Sequence, residues 1–239
     1  MNDLKLPRSP KVKRTPFKGS PEYNFTVLKY LKRKYSKSCV IIPKINVSMK
    51  DLKHTDVSLR WIQTSSKEGR FSIPKNYWDY FERCQSKRFI IFPFGFSCSN
   101  YKGHANYMIY DRSTRSLERF EPYGKTRRKC SNPTGLDSKI KKLFNDNLGK
   151  NFIKHYYKPL DYLSRNSFQA IQESEDEMTK YDPPGGFCAA WSCWYAEVRL
   201  SNPDKNRKYI VKKALDDLMN KHESLTEYIR NYSAYIAKN

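Results

Sequence analysis

Residues 103–124 read GHANYMIYDRSTRSLERFEPYG. Ala105, Tyr107 and Ile109 alternate with Asn106, Met108 and Tyr110, the period of two that marks a strand. DRSTRS is a turn, and LERFEPYG returns as a second strand, so the stretch predicts a β-hairpin. The first strand starts on His104 and the second ends on Glu121. With the turn near residues 112–115, those two ends come close together. A carboxylate on one imidazole nitrogen fixes the tautomer and leaves the other nitrogen to take a proton. Asn106 shares the strand face of His104 and is an alternative orienter.

Working outward, KRFIIFPFGF (87–96) is a continuous apolar run of strand length, the pattern of a central strand buried on both faces. Residues 21–37 show a helical pattern with a strongly basic face, and 38–47 a strand interrupted by Pro43. In 72–85, Pro74 stands near the start of a short helix. Residues 134–149 form an amphipathic helix, with Leu136, Ile140, Leu143, Phe144 and Leu148 on its apolar face. Residues 151–163 read as a strand ended by Pro159, and 164–186 as an irregular, partly acidic connection. FCAAWSCWYAEVRL (187–200) is a buried helix, and helices at about 204–219 and 221–237 close the chain. Helices, then strands, then helices imply an α+β fold, a mainly antiparallel sheet packed on one central helix. The expected organisation is a basic, flexible tail over 1–20 and a single domain over 21–239, its core at 87–202.

That central helix begins on Cys188, just after Pro183-Pro184-Gly185-Gly186. A helix start offers unpaired N–H groups and partial positive charge, which stabilise a thiolate. The same N–H groups suit an oxyanion. Cys188 is therefore the candidate nucleophile. Cys193 lies more than a turn into the helix, where N–H groups are already paired, and is the weaker rival. Trp191 and Trp194 read as core, and His54, His155 and His222 as structural or exposed.

GHANYMIYD, ERFEPYG and GGFCAAWSCWY together resemble the adenovirus endopeptidase and Ulp1-like group of cysteine proteases, in the form found in large DNA viruses. The resemblance covers about residues 87–202. It implies a papain-like or Ulp1-like architecture and a thiol endopeptidase acting on a protein substrate, in viral maturation or removal of ubiquitin-like modifiers. On the matching positions it places the nucleophile at Cys188, the base at His104 and the orienting carboxylate at Glu121. The group also uses a glutamine amide in the oxyanion hole. Here it falls on Gln169, or otherwise Gln172, in NSFQAIQE, with 173–182 as an insertion that loops out.

The formal net charge of +22, from 46 Lys and Arg against 24 Asp and Glu, makes polyanions candidate partners. The stretch KYLKRKYSK (29–37), with Lys32, Arg33 and Lys34, joins the tail as an expected DNA or polyanion surface. A catalytically inactive, basic nucleic-acid-binding or virion structural protein on the same fold is the competing reading. Six scattered cysteines show no zinc spacing, so no metal or cofactor is expected. Without a signal-peptide pattern or an apolar run of membrane-spanning length, reduced thiols and a host cytoplasm or virion location are expected.

Overall fold

The computed structural model describes residues 4–11, 21–42, 58–65, 68–98, 101–125, 132–176, 187–221 and 224–239. The chain runs α1 (Pro21–Lys34), β1 (Cys39–Val40), β2 (Leu59–Gln63), β3 (Gly69–Ser72), α2 (Asp79–Arg83), β4 (Phe89–Cys98), β5 (Tyr101–Asp111) and β6 (Ser116–Phe120). It continues through α3 (Leu136–Leu148), β7 (His155–Tyr157), α4 (Pro159–Tyr162), α5 (Phe168–Asp176), α6 (Cys188–Ser201), α7 (Arg207–Lys221) and α8 (Leu225–Lys238).

The class is α+β, with one seven-stranded sheet in the order β3-β2-β4-β5-β6-β7 and β1 also pairing β4. The sheet is antiparallel at β2–β3 and through β4-β5-β6. It is parallel where β1 and β2 meet β4 and where β7 meets β6. β4 is central, as its apolar run requires.

Alternation along the strands divides the core in two. Phe89 and Ile91 of β4, Tyr107 and Ile109 of β5 and Phe120 of β6 pack with α1, α6, α7 and α8. Ile90, Phe92, Phe94 and Phe96, with Met108 and Tyr110, pack on the other face with α2 and α3. α6 is the central helix of the first layer, and Trp191 and Trp194 are fully buried in it.

A buried ionic cluster fixes that layer to the sheet. Arg199 of α6 donates to Glu118 of β6 at 2.9 Å, and Arg207 of α7 donates to the other carboxylate oxygen. Arg207 also donates to Ser116 at 2.8 Å.

Several expectations are corrected. Residues 4–11 do not trail away from the fold. Leu4 is buried, the Lys5 N–H donates to Asn202 at 3.1 Å, and the Pro7 carbonyl accepts from Tyr228 at 2.9 Å. Residues 12–20 lie outside the described ones, as do Pro43 and the rest of the predicted 38–47 strand beyond Ile42. The predicted helix near Pro74 is a turn closed by Tyr77 N–H on the Pro74 carbonyl, with α2 following. Pro159, expected only to end a strand, occupies the first position of α4, where its missing N–H costs nothing.

The predicted irregular connection after residue 164 contains α5. It forms because Phe168, Ala170 and Gln172 are buried and because its acids have partners. Glu175 accepts from Ser224 Oγ and from the backbone N–H groups of Leu225 and Thr226, capping the start of α8. Glu173 to Asp176 are therefore helical, and the loop-out assigned to 173–182 leaves only residues outside the described ones.

Reduced thiols were expected throughout. Cys39 and Cys84 instead form a disulfide, because β1 brings Cys39 beside the end of α2, with Cα atoms 5.6 Å apart. Of the proposed polyanion cations, Lys32, Arg33 and Lys34 are all exposed, but the Lys34 ammonium is already engaged by a carboxylate. It donates to Glu197, a fully buried carboxylate of α6, and to Tyr30. Burying Glu197 without a cation would be costly, and Lys34 supplies that cation from the surface.

Replacing Glu118 leaves two arginines, one of them buried, without their shared carboxylate. Glu118→Ala is expected to lose about 3–5 kcal/mol of unfolding free energy in urea denaturation. A loss under about 1 kcal/mol, the range of an exposed pair, would show the cluster does not hold α6 and α7 to the sheet.

Candidate active site

The β4–β5 register pairs Phe96 with His104 and Phe94 with Asn106, so His104 and Asn106 share the face that carries α2 and α3. In the β5–β6 register Met108 pairs with Arg119, which places Arg119 on that face as well. Glu121 follows two residues on, at the end of the sheet. The EPYG turn then closes with the Gly124 N–H on the Glu121 carbonyl at 2.9 Å. Gly124 has φ of +83°, and a Cβ there would come within 2.5 Å of the Ser164 carbonyl oxygen, so only glycine fits this turn.

The geometry brings His104 and Glu121 together. His104 Nε2 lies 2.8 and 3.0 Å from the two Glu121 oxygens, and both side chains are buried. Glu121 Oε1 also accepts from the Tyr123 N–H at 3.0 Å, and Oε2 from Asn106 Nδ2 at 3.0 Å. The imidazole lies between Phe96, stacked at 5.8 Å, and Tyr123 at 5.4 Å. With Nε2 committed to the carboxylate, Nδ1 is the nitrogen that remains for a thiol.

Cys188 approaches from the opposite layer. α6 shares the core of Tyr107 and Ile109, and its first residue, Cys188, hydrogen-bonds to His104. Burial raises the thiol pKa. The hydrogen bond and charge of His104, with the Ala105 N–H, outweigh that and hold it below the ordinary value. Burial likewise disfavours the imidazolium, but Glu121 and the hydrogen bond to Cys188 hold the His104 pKa well above the ordinary range. Both shifts favour a thiolate–imidazolium pair, and Cys188 retains solvent exposure. Cys193, by contrast, is buried, accepts from Tyr232 at 3.3 Å, and has its pKa pushed up by burial and Glu197.

Gln169 comes to the same end of the sheet. Its N–H donates to the Pro122 carbonyl at 3.0 Å, and its amide Nε2 donates to Tyr123 Oη at 3.1 Å and to Glu173 at 3.3 Å. Its Oε1 is buried without a hydrogen-bond partner. Gln172, the alternative, is fully buried, and its carbonyl accepts from Thr226 of α8 at 3.3 Å. His155 is exposed, and His54 and His222 lie outside the described residues. Among the described residues no cluster of His, Cys, Asp or Glu is arranged to hold a metal ion, and no helix is long and apolar enough to cross a membrane.

Two contributors escaped the sequence reading. Tyr123 packs on His104 and donates to Glu173. Burial, then Glu173, hold its phenol protonated, and the charges of Cys188 and Glu121 act in the same sense. Arg119 lies behind Asn106 and Glu121. Its only sequence signal is its place two residues before Glu121, on one strand face.

The thiolate fraction of Cys188 rises with pH through a lowered pKa. Iodoacetamide alkylation of Cys188, followed by peptide mass spectrometry, is therefore expected to show a pH midpoint below about 8.5, the value of an ordinary thiol. His104→Ala should move the midpoint up to that value or beyond, since burial then acts unopposed. An unchanged midpoint in His104→Ala would rule out the pair.

No family model matches the chain. The chain is 29% identical over 240 residues to the protein named "Putative ankyrin repeat protein L371" of Acanthamoeba polyphaga mimivirus, a match over 92% of this chain. The chain spans 31% of the length of that relative. Among solved structures it is similar to ChlaDub1 from Chlamydia trachomatis, with a TM-score of 0.45 and 13% identity over 96% of this chain and 92% of that one. It is also similar to the Chlamydia trachomatis effector protein Cdu1 bound to ubiquitin, with a TM-score of 0.46 and 14% identity over 91% of this chain and 90% of that one. The Legionella pneumophila effector protein RavZ matches with a TM-score of 0.38 and 9% identity, over 93% of this chain and 68% of that one.

Proposed function

We propose that the chain is a cysteine peptidase of the adenovirus-endopeptidase and Ulp1-like kind. The observation that carries this reading is the hydrogen-bonded order Cys188, His104, Glu121, with the imidazole held at 2.8 Å by a buried carboxylate. An ordinary core cysteine has no use for such a partner.

His104 takes the Cys188 proton, and the thiolate attacks the carbonyl carbon of a peptide or isopeptide bond. Negative charge gathers on the carbonyl oxygen, beside the first-turn N–H groups of α6. Gln169 is the side-chain candidate for the same oxygen, a reading supported by its hydrogen bond to Tyr123, which itself packs on His104. The tetrahedral intermediate collapses to a thioester as the imidazolium protonates the leaving amine. Water, deprotonated by the same imidazole, then hydrolyses the thioester and frees Cys188. Glu121 keeps the ring in the tautomer with Nε2–H throughout.

The substrate is a protein. The two candidates remain a polypeptide cut during viral maturation and a ubiquitin-like modifier. The competing reading, an inactive basic nucleic-acid-binding or virion structural protein, leaves the ordered triad without a purpose. In addition, the charge of Lys34 in its proposed contact surface is paired with Glu197, although Lys32, Arg33 and Lys34 are all exposed.

Cdu1 was solved with ubiquitin bound, which makes ubiquitin carrying a C-terminal electrophile the first probe to use. A covalent adduct at Cys188, lost in Cys188→Ala and His104→Ala, is the expected result for the modifier reading. Glu121→Gln should slow adduct formation by roughly 10²–10⁴-fold, the range of general acid–base assistance. Adducts at Cys193, or equal labelling in His104→Ala, would overturn the assignment. No adduct with ubiquitin, but Cys188-dependent cleavage of a denatured protein mixture, would select maturation-type proteolysis.

A further inference from the structure

We propose that Arg119 is a positioning residue for this site, acting on His104 through Asn106 and Glu121; the inference rests on the peptidase reading and deepens it. Arg119 is fully buried. Its Nη1 donates to Asn106 Oδ1 at 3.1 Å and lies 3.8 Å from Glu121 Oε2. The rest of the guanidinium is fixed from behind. Nε and Nη2 donate to Asp137 of α3 at 3.2 Å, and Nη2 donates to Asn132 at 3.0 Å. Asp137 accepts a further hydrogen bond from Tyr156 at 2.6 Å, and Asn132 donates to the Gly124 carbonyl at 2.9 Å.

The arrangement has a direction. A guanidinium only donates, so it selects the carbonyl end of the Asn106 amide. The amide N–H₂ must then face the other way, toward Glu121 Oε2. A flipped amide would set its oxygen against the carboxylate and its N–H groups against the guanidinium. Asn106 Nδ2 also lies 3.2 Å from His104 Nε2. Since Nε2 carries the proton given to Glu121, that contact is one of two donors converging on one carboxylate. Arg119 thereby determines which groups Glu121 accepts, and Glu121 determines the tautomer of His104.

Lysine in place of Arg119 keeps the charge but loses the planar fork that engages Asn106, Asn132 and Asp137 at once. A purely structural arginine would affect melting and leave the chemistry of Cys188 alone. A positioning arginine moves the titration of a cysteine it does not touch.

The test is the pH profile of Cys188 alkylation by iodoacetamide in the full chain, with thermal melting alongside. Arg119→Met and Asn106→Ala are each expected to raise the midpoint by about one pH unit, about a tenfold loss of thiolate below it. The double variant should shift no further than either single one, because both break the same link. Arg119→Lys should fall between wild type and Arg119→Met. A folded Arg119→Met with the wild-type midpoint overturns the proposal, and so do additive shifts in the double variant. If Arg119→Met does not fold, Asn106→Ala decides alone, and an unchanged midpoint there overturns it. A wild-type Cys188 that titrates like a free thiol overturns the peptidase reading itself, and Arg119 with it.

Discussion

Glu121 is a carboxylate with no solvent exposure, placed where a sheet ends. A buried carboxylate must have its lone pairs satisfied and its charge balanced. Most of what surrounds it answers that demand. The EPYG turn delivers the Tyr123 N–H, β5 delivers His104 and Asn106, and β6 delivers Arg119. Arg119, now a buried cation in its turn, requires Asp137, so α3 starts against this end of the sheet. The glycine of the turn is needed because the chain must double back against Ser164. One buried charge thus links the hairpin, the turn, the opposite helical layer and the start of α5.

The His104–Glu121 pair was legible because hairpin geometry is local. The turn at residues 112–115 fixes the register, and the register fixes which strand ends meet. The central strand and the amphipathic α3 were legible for the same reason, since burial leaves a period in a short window. That a buried helix begins at Cys188 was legible from its apolar run after the double glycine. What lay beyond reach were pairings set by packing between distant segments. Lys34 reads as one cation in a basic run, until α1 lies against α6 and brings it to Glu197. The acids of α5 read as a solvated loop, yet Glu175 caps α8 and Glu173 receives Tyr123. Arg119 reads as one more charged residue beside Glu118 in a short strand, and its burial depends on an aspartate in another layer. The union of Cys39 with Cys84 depends likewise on a parallel strand pairing that no local pattern announces.

The excess of positive charge takes on a different meaning beside these contacts. Four arginines and lysines, Lys34, Arg119, Arg199 and Arg207, are taken up by carboxylates inside the fold. Their charges are compensated where they stand. At the site itself the charged groups His104, Arg119 and Glu121 are all buried. Electrostatics at the site are therefore set by a few buried groups at close range and are little affected by salt.

The two free cysteines of α6 show how completely those near groups decide reactivity. Cys188 and Cys193 sit on one helix, and burial raises the pKa of both thiols. Cys193 looks toward Glu197 and Tyr232, so an anion there would meet a carboxylate, and the group stays a thiol. Cys188 looks toward an imidazolium and a backbone N–H, and its pKa falls although the desolvation cost is the same in kind. Helix position supplies only part of this difference. Cys188 also has the His104 cation, and that cation persists in a buried place because Glu121 and Cys188 are its partners. A thiolate on α6 is in this sense a property of the hairpin across the sheet.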